Sequence, residues 1–278
     1  MLKDLISLLM NFINPASSTQ KSHQIISKKN NTKQFDSTIS GLLKTLNEFA
    51  VCLNSKTIEK MPLYNLNKVC FILINSYENE NENFGIGPLN DGIHICLHYH
   101  RLRYKVFYLY NPQSTQFINY LEYFLKNTIK NLTVFYSGND IPKSNIHEIK
   151  FPNGQLPSNI VKKSISQYCH GKAKVIFITN SFNGGSVFDI NSIKISNAQQ
   201  TSDIVSFWVK KDQSKHKSHE VKKSHGIFIY YLCKIINDST NISPKEIAGK
   251  INPSIESFNE YLKFDVTNTD LIEAPLIL

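Results

Sequence analysis

Val69-Cys70-Phe71-Ile72-Leu73-Ile74 is an unbroken apolar run, and its lack of alternation decides the fold. A strand with one wet face alternates apolar and polar side chains, whereas a strand covered on both faces does not. Three further stretches read the same way: Val106-Phe107-Tyr108-Leu109-Tyr110, Leu132-Thr133-Val134-Phe135-Tyr136 and Val175-Ile176-Phe177-Ile178. The segments between them suit helices, over 91–102, 114–126 and 158–168. In the second of these, Phe117, Leu121, Phe124 and Leu125 form the apolar stripe. Strand–helix alternation of this kind predicts βαβ units in a doubly wound α/β fold. Its central sheet is mostly parallel, with helices on both faces.

Outward from this centre the pattern changes. Leu2, Leu5, Ile6, Leu9, Phe12 and Ile13 fall at helical spacing and predict an amphipathic helix that packs on the protein, with membrane contact as the alternative. Residues 14–34 are rich in Asn, Ser, Lys and Gln and read as a linker. A second helix follows on Ile39, Leu42, Leu43, Leu46, Phe49 and Leu53, with Asp36 or Ser37 as its cap. The expected organisation is therefore an N-terminal helical extension over 1–60, with its linker at about 14–34, and one domain over 61–278. Downstream, 193–196 reads as a short strand, 226–236 as an apolar helix and 262–266 as a last strand. Ser243-Pro244-Lys245-Glu246 is a helix start with a cap, Pro at the first helical position and a capping-box Glu.

Composition narrows the function classes. With 41% hydrophobic and 11% aromatic residues among 278, the chain can build a core, which excludes global disorder. No apolar run reaches the roughly 18–20 residues of a spanning helix. Asp4 in the would-be basic region, and the lack of a small-residue cleavage site, argue against a signal peptide. The five cysteines are scattered and odd in number, which predicts thiols in a reducing, cytoplasmic setting rather than a disulfide framework. The net charge of +9 permits contact with nucleic acid or anionic membranes without establishing either. The basic stretch over 210–223 lacks the interleaved aromatics of a single-strand binder and reads as a solvated loop. His94 and His98 share a helix face, but no third ligand is identifiable. No metal and no cofactor are expected.

In an open α/β sheet, ligands bind beyond the carboxyl ends of the strands. There the third run continues into Ser137-Gly138-Asn139-Asp140, and the fourth into Thr179-Asn180-Ser181-Phe182-Asn183-Gly184-Gly185. Seven short motifs in order resemble the caspase–metacaspase–paracaspase group of cysteine peptidases, metacaspases above all. They are the first strand with Asn75-Ser76-Tyr77, Gly87-Pro88-Leu89-Asn90-Asp91, Tyr104-Lys105-Val106, and Val134-Phe135-Tyr136-Ser137-Gly138. Then come Val175-Ile176-Phe177-Ile178 with Asn180-Ser181, Ile195-Ser196-Asn197-Ala198 with Gln200 and Thr201, and His225-Gly226-Ile227-Phe228. The resemblance spans about 67–237 and implies a three-layer caspase-like sandwich.

The departures from that family carry the functional expectation. Its catalytic His falls on Asn139 and its catalytic Cys on Phe182. A thiolate nucleophile needs sulfur and a base; Phe182 has no nucleophilic atom, and Asn139 takes up no proton at neutral pH. The resemblance also places two acidic positions that receive a basic side chain: one is Asp91, retained, and the other is Asn180, uncharged. Asp91 has a second reading as a helix cap. Cys169-His170 sits at the wrong end of the sheet to replace the dyad.

The reading is thus a pseudopeptidase that regulates proteolysis by binding an active paralogue or a peptide with a basic residue. A homodimer through a sheet edge is one route to such binding. Two alternatives stay open: an active cysteine-type endopeptidase with a displaced dyad, and a basic-surface nucleic-acid or membrane-surface binder.

Overall fold

In the computed structural model of the chain, the described residues are 28–61, 66–76, 86–143, 146–169, 173–181, 188, 204–211, 227–238, 242–258 and 262–268. The chain divides into two compact units, Met1–Gly41 and Leu42–Leu278. In the first, the described residues form the opening turns of helix α1 (Lys28–Phe49). This helix starts earlier than the apolar periodicity predicts, so the linker reading is overturned over 28–34, and Asp36 and Ser37 lie inside the helix rather than capping it. The physical reason is that polar composition alone does not break a helix. Lys and Gln are good helix formers, and no Gly or Pro intervenes before Gly41. Residues 1–27, including the expected first helix, lie outside the described set.

In the second unit, a seven-stranded sheet has the order β1-β3-β2-β4-β8-β9-β10. Its strands are β1 (Val51–Cys52), β2 (Leu66–Ile74), β3 (Lys105–Tyr110), β4 (Thr128–Ser137), β8 (Lys174–Asn180), β9 (Ile204–Lys211) and β10 (Leu262–Asn268). Every pairing is parallel except β9 with β10. The continuous apolar runs are explained by coverage of both faces. Val69, Phe71 and Leu73 of β2 point into a core with Phe117, Leu121, Phe124, Val161 and Ile165. Ile72 and Ile74 point the other way, toward Gly92.

Helix α2 (Gly87–Arg101) packs on β2, β3 and β4, with α5 (Ile227–Asp238) against it, while α3 (Ser114–Asn127) and α4 (Ser158–Tyr168) cover the opposite face. Beneath α3 the core is aromatic: Phe124 lies 5.0 Å from both Phe71 and Phe107, ring centre to ring centre. Such contacts add about 0.5–1.5 kcal/mol each beyond area burial. The three-layer α/β sandwich is thus built from the runs that predict it.

A small antiparallel sheet of β5 (Asp140–Lys143), β6 (Ile146–Phe151) and β7 (Gly154–Pro157) follows β4 directly. It sends Ile149, Phe151 and Leu156 into the same core. Asn153, in the turn between β6 and β7, accepts the backbone N–H of Ser114 at 3.0 Å and so caps α3 from outside the helix. Helix α6 (Pro244–Phe258) begins with the expected capping box: Glu246 N–H donates to Ser243 Oγ at 3.2 Å, and Ser243 N–H donates to Glu246 Oε2 at 2.8 Å.

The two flanks of the large sheet are unlike each other. Strand β1 has two residues, paired with Phe107 and Tyr108. Leu53 N–H then donates to Tyr108 O at 2.9 Å. The Asn54 side chain continues the ladder, accepting Tyr110 N–H at 2.9 Å and donating to Tyr110 O at 2.6 Å. At the other flank β10 runs seven residues beside β9. Lys210 and Lys211, expected in a basic loop, are strand residues in register with Lys263 and Leu262; residues 212–226 lie outside the described set, as do 189–203. No helix among the described residues is long and apolar enough to cross a membrane.

Candidate functional site

The strand order turns at β2, between β3 and β4, and the carboxyl ends of these strands and of β8 form the crest where a ligand crevice belongs. The crest is lined by amides and hydroxyls. Asn111, after β3, adopts φ +46, a left-handed conformation that Asn tolerates. Its N–H donates to Ile74 O at 2.8 Å, and its Oδ1 accepts Ser76 N–H at 2.8 Å. Ser76 Oγ lies 3.0 Å from the Tyr110 hydroxyl. Asn75 Nδ2 donates to Lys150 O at 2.9 Å, tying the end of β2 to the small sheet.

Asn139 sits just beyond β4, where the resemblance places a catalytic His. Its carbonyl accepts the Tyr136 hydroxyl at 2.6 Å and the Lys150 N–H at 3.0 Å. The β4 end is therefore pinned by its own strand and by the small sheet. Gly138 is required in this pin, because a Cβ there would lie 2.6 Å from the Tyr136 oxygen. Asp140, the next residue, is buried, and His147 Nδ1 lies 3.6 Å from its Oδ2. Phe182 lies outside the described residues. Ser181, before it, is buried, and Phe188, after it, stacks on Phe177 at 4.8 Å between ring centres.

Asp91 and Asn180 are brought together. Asn180 Nδ2 donates to Asp91 Oδ2 at 2.6 Å, and Ser137 Oγ donates to the same oxygen at 3.2 Å. Asp91 and Ser137 are 0% exposed and Asn180 is 8% exposed. The helix-cap reading of Asp91 is overturned: α2 begins at Gly87 after the N-cap Ile86, so Asp91 stands a turn inside the helix. Proline is at home in a first helical turn, which is why the helix reaches back past Asp91. Tyr110, Asn111 and Lys150 are site residues that pattern reading misses, whereas it places Ser137 at the crest without its bond to Asp91. The one local signal for them was the Asn-Pro step at 111–112, a turn former directly after a strand.

Two histidines of α2, His98 of the expected pair and His100 two residues on, have structural uses. His98 is buried, its Nδ1 3.0 Å from Asn237 Oδ1 on α5. Burial pushes its pKa down to about 4, with the nearby Arg101 adding to that and the Asn237 bond opposing it. His100 packs edge-on against Phe49. Among the described residues no group of three or more His, Cys, Asp or Glu side chains is placed to hold a metal ion. None of the five cysteines forms a disulfide. Burial pushes the Cys70 thiol well up and the Cys96 thiol up to about 12, so neither is a ready nucleophile.

No family model matches the chain, and no curated protein matches it. Solved structures do. Protein GSU0716 of Geobacter sulfurreducens matches with a TM-score of 0.53 at 10% identity, over 75% of this chain and 97% of that one. The Drosophila initiator caspase Dronc matches with a TM-score of 0.52 at 12% identity, over 81% of this chain and 92% of that one. At these identities the likeness speaks to architecture. The chain has a caspase-like α/β fold.

Proposed function

We propose that this chain is a pseudopeptidase: a caspase-like protein that regulates proteolysis by binding an active paralogue or a peptide without cutting it. The observation that carries the reading is at the β4 end. The residue that the resemblance sets in the place of a general base is Asn139, an amide that takes up no proton near neutral pH, and its backbone is bonded into the Tyr136–Lys150 pin. The crest beside it consists of amides and hydroxyls bonded to one another and to the backbone, with no nucleophile held beside a base among these described residues. The large sheet also ends in β10, a seven-residue strand at its flank, as strand-to-strand association with a relative requires.

The test pairs two assays on the full chain. The wild type, with and without calcium, is expected to leave peptides bearing Arg, Lys or Asp before the scissile bond intact. It is also expected to change the turnover of an active caspase-like peptidase added to it. Cleavage by the wild type would remove the reading, and so would a chain that neither self-associates nor binds any active relative or peptide. An Asn139→His, Phe182→Cys double variant that cuts would add that the groove is otherwise competent.

A further inference from the structure

A carboxylate withdrawn from water must be matched by donors, and how Asp91 is matched determines what can reach it. Its Oδ2 takes two donors, the nearer being the Asn180 amide at 2.6 Å. Of the three residues in this set, Asn180 alone retains any contact with solvent. It ends β8 at the crest, so an incoming group meets the amide before it meets the carboxylate. A guanidinium recognises a carboxylate by two parallel hydrogen bonds in one plane and needs open access to the oxygens. Here one oxygen is already occupied by a neutral donor from the chain itself.

We infer that Asn180 is a built-in occupant of the Asp91 site, a plug whose amide holds the place of a cationic side chain and so turns basic peptides away from the crevice. This narrows the peptide class and, in that last step only, rests on the proposed peptide-binding function; the plug itself is a property of Asp91, Ser137 and Asn180. The selected segment is one without Arg or Lys at this position. A basic side chain can enter only by displacing an amide that would then lose its charge-assisted bond in a nearly dry site.

The test titrates the full chain with N-acetyl-arginine amide and with N-acetyl-citrulline amide, the uncharged isostere, by calorimetry or NMR. The wild type is expected to treat the two alike, within about twofold. Asn180→Gly is expected to bind the arginine probe about tenfold more tightly than the citrulline probe. Adding Asp91→Asn is expected to abolish that preference. Asn180→Ser, a gentler change, answers the same question should the glycine variant not fold. A wild type that already prefers arginine about tenfold overturns the plug, as does a folded Asn180 variant that gains no preference. If the wild type neither self-associates nor binds a relative or a peptide, and yet Asn180→Gly gains the arginine preference, the plug stands and the proposed regulatory function falls. If the wild type is arginine-selective and binds a relative, the plug falls and that function survives.

Discussion

Gly92 on α2 and Ile74 on β2 approach so closely that a methyl group on Gly92 would overlap Ile74 Cδ1 and lie 3.0 Å from its Cγ1. The absent side chain lets the first turns of α2 settle onto the strand ends, which is what brings the neighbouring Asp91 within reach of Ser137 and Asn180. Gly92→Ala is expected to cost about 1–3 kcal/mol, the usual range for overpacking a full core. Adding Ile74→Val, which removes Cδ1, should recover part of it. Denaturant unfolding of the two single variants and the double variant measures the coupling. Strict additivity would mean that the contact does not set the α2 position.

His98 makes stability depend on pH in a known direction. Its folded pKa of about 4 lies below the unfolded value, which is about 6.5. The unfolded chain therefore takes up this proton first as pH falls. Stability is intact above about pH 6.5 and declines toward pH 4, by at most about 3 kcal/mol from this group. His98→Gln removes the titrating ring and should flatten that part of the profile. Equal slopes for variant and wild type between pH 6.5 and 4 would assign the acid sensitivity elsewhere.

The capping box of α6 gives a local prediction. Ser243→Ala removes the hydroxyl that accepts Glu246 N–H, a loss of about 0.5–2 kcal/mol. The Ser243 backbone N–H, and then its hydroxyl, hold the Glu246 carboxyl below its ordinary value. The carboxylate half of the box therefore persists to lower pH than an unshifted Glu would allow. Amide exchange in the first turn of α6 should rise in Ser243→Ala at neutral pH and in the wild type only in stronger acid.

Asn54→Ala tests the β1 flank. It removes two hydrogen bonds to the Tyr110 backbone, exposed ones whose joint loss should cost about 1 kcal/mol. The Tyr110 amide should lose its exchange protection while Leu109 and Phe107 keep theirs. Unchanged protection at Tyr110 would mean that Asn54 contributes nothing to the ladder.

The parallel core was legible because both-sided burial leaves an unmistakable mark: β2 is apolar at every position from Val69 to Ile74 and buried at all of them. Other elements broke the pattern. Strand β9 carries Ser206 fully buried in its middle and ends in two lysines, so its run reads as interrupted. The small sheet is made of short strands set among Pro142, Asn153, Gly154 and Pro157, residues that signal turns when taken singly. The start of α1 carries no apolar stripe to announce it. At the site, resemblance marked Asp91, Asn139 and Asn180 as positions of interest. The Asp91–Asn180 bond joins residues 89 apart in the chain, and no local periodicity encodes a contact at that distance.

The Asn54 clamp gives the sheet a direction of growth. A flank recruits another strand through a row of successive open N–H and C=O groups. On the β1 side the row is two residues long and then closed by a side-chain amide. Among the described residues β10 is the long flank, so a copy or relative that joins this sheet by strand addition is expected to join beside it. Two copies joined β10 to β10 have both spent that flank on each other. The same amide that steadies one backbone segment therefore also closes the Tyr110 backbone on the β1 side to an incoming strand.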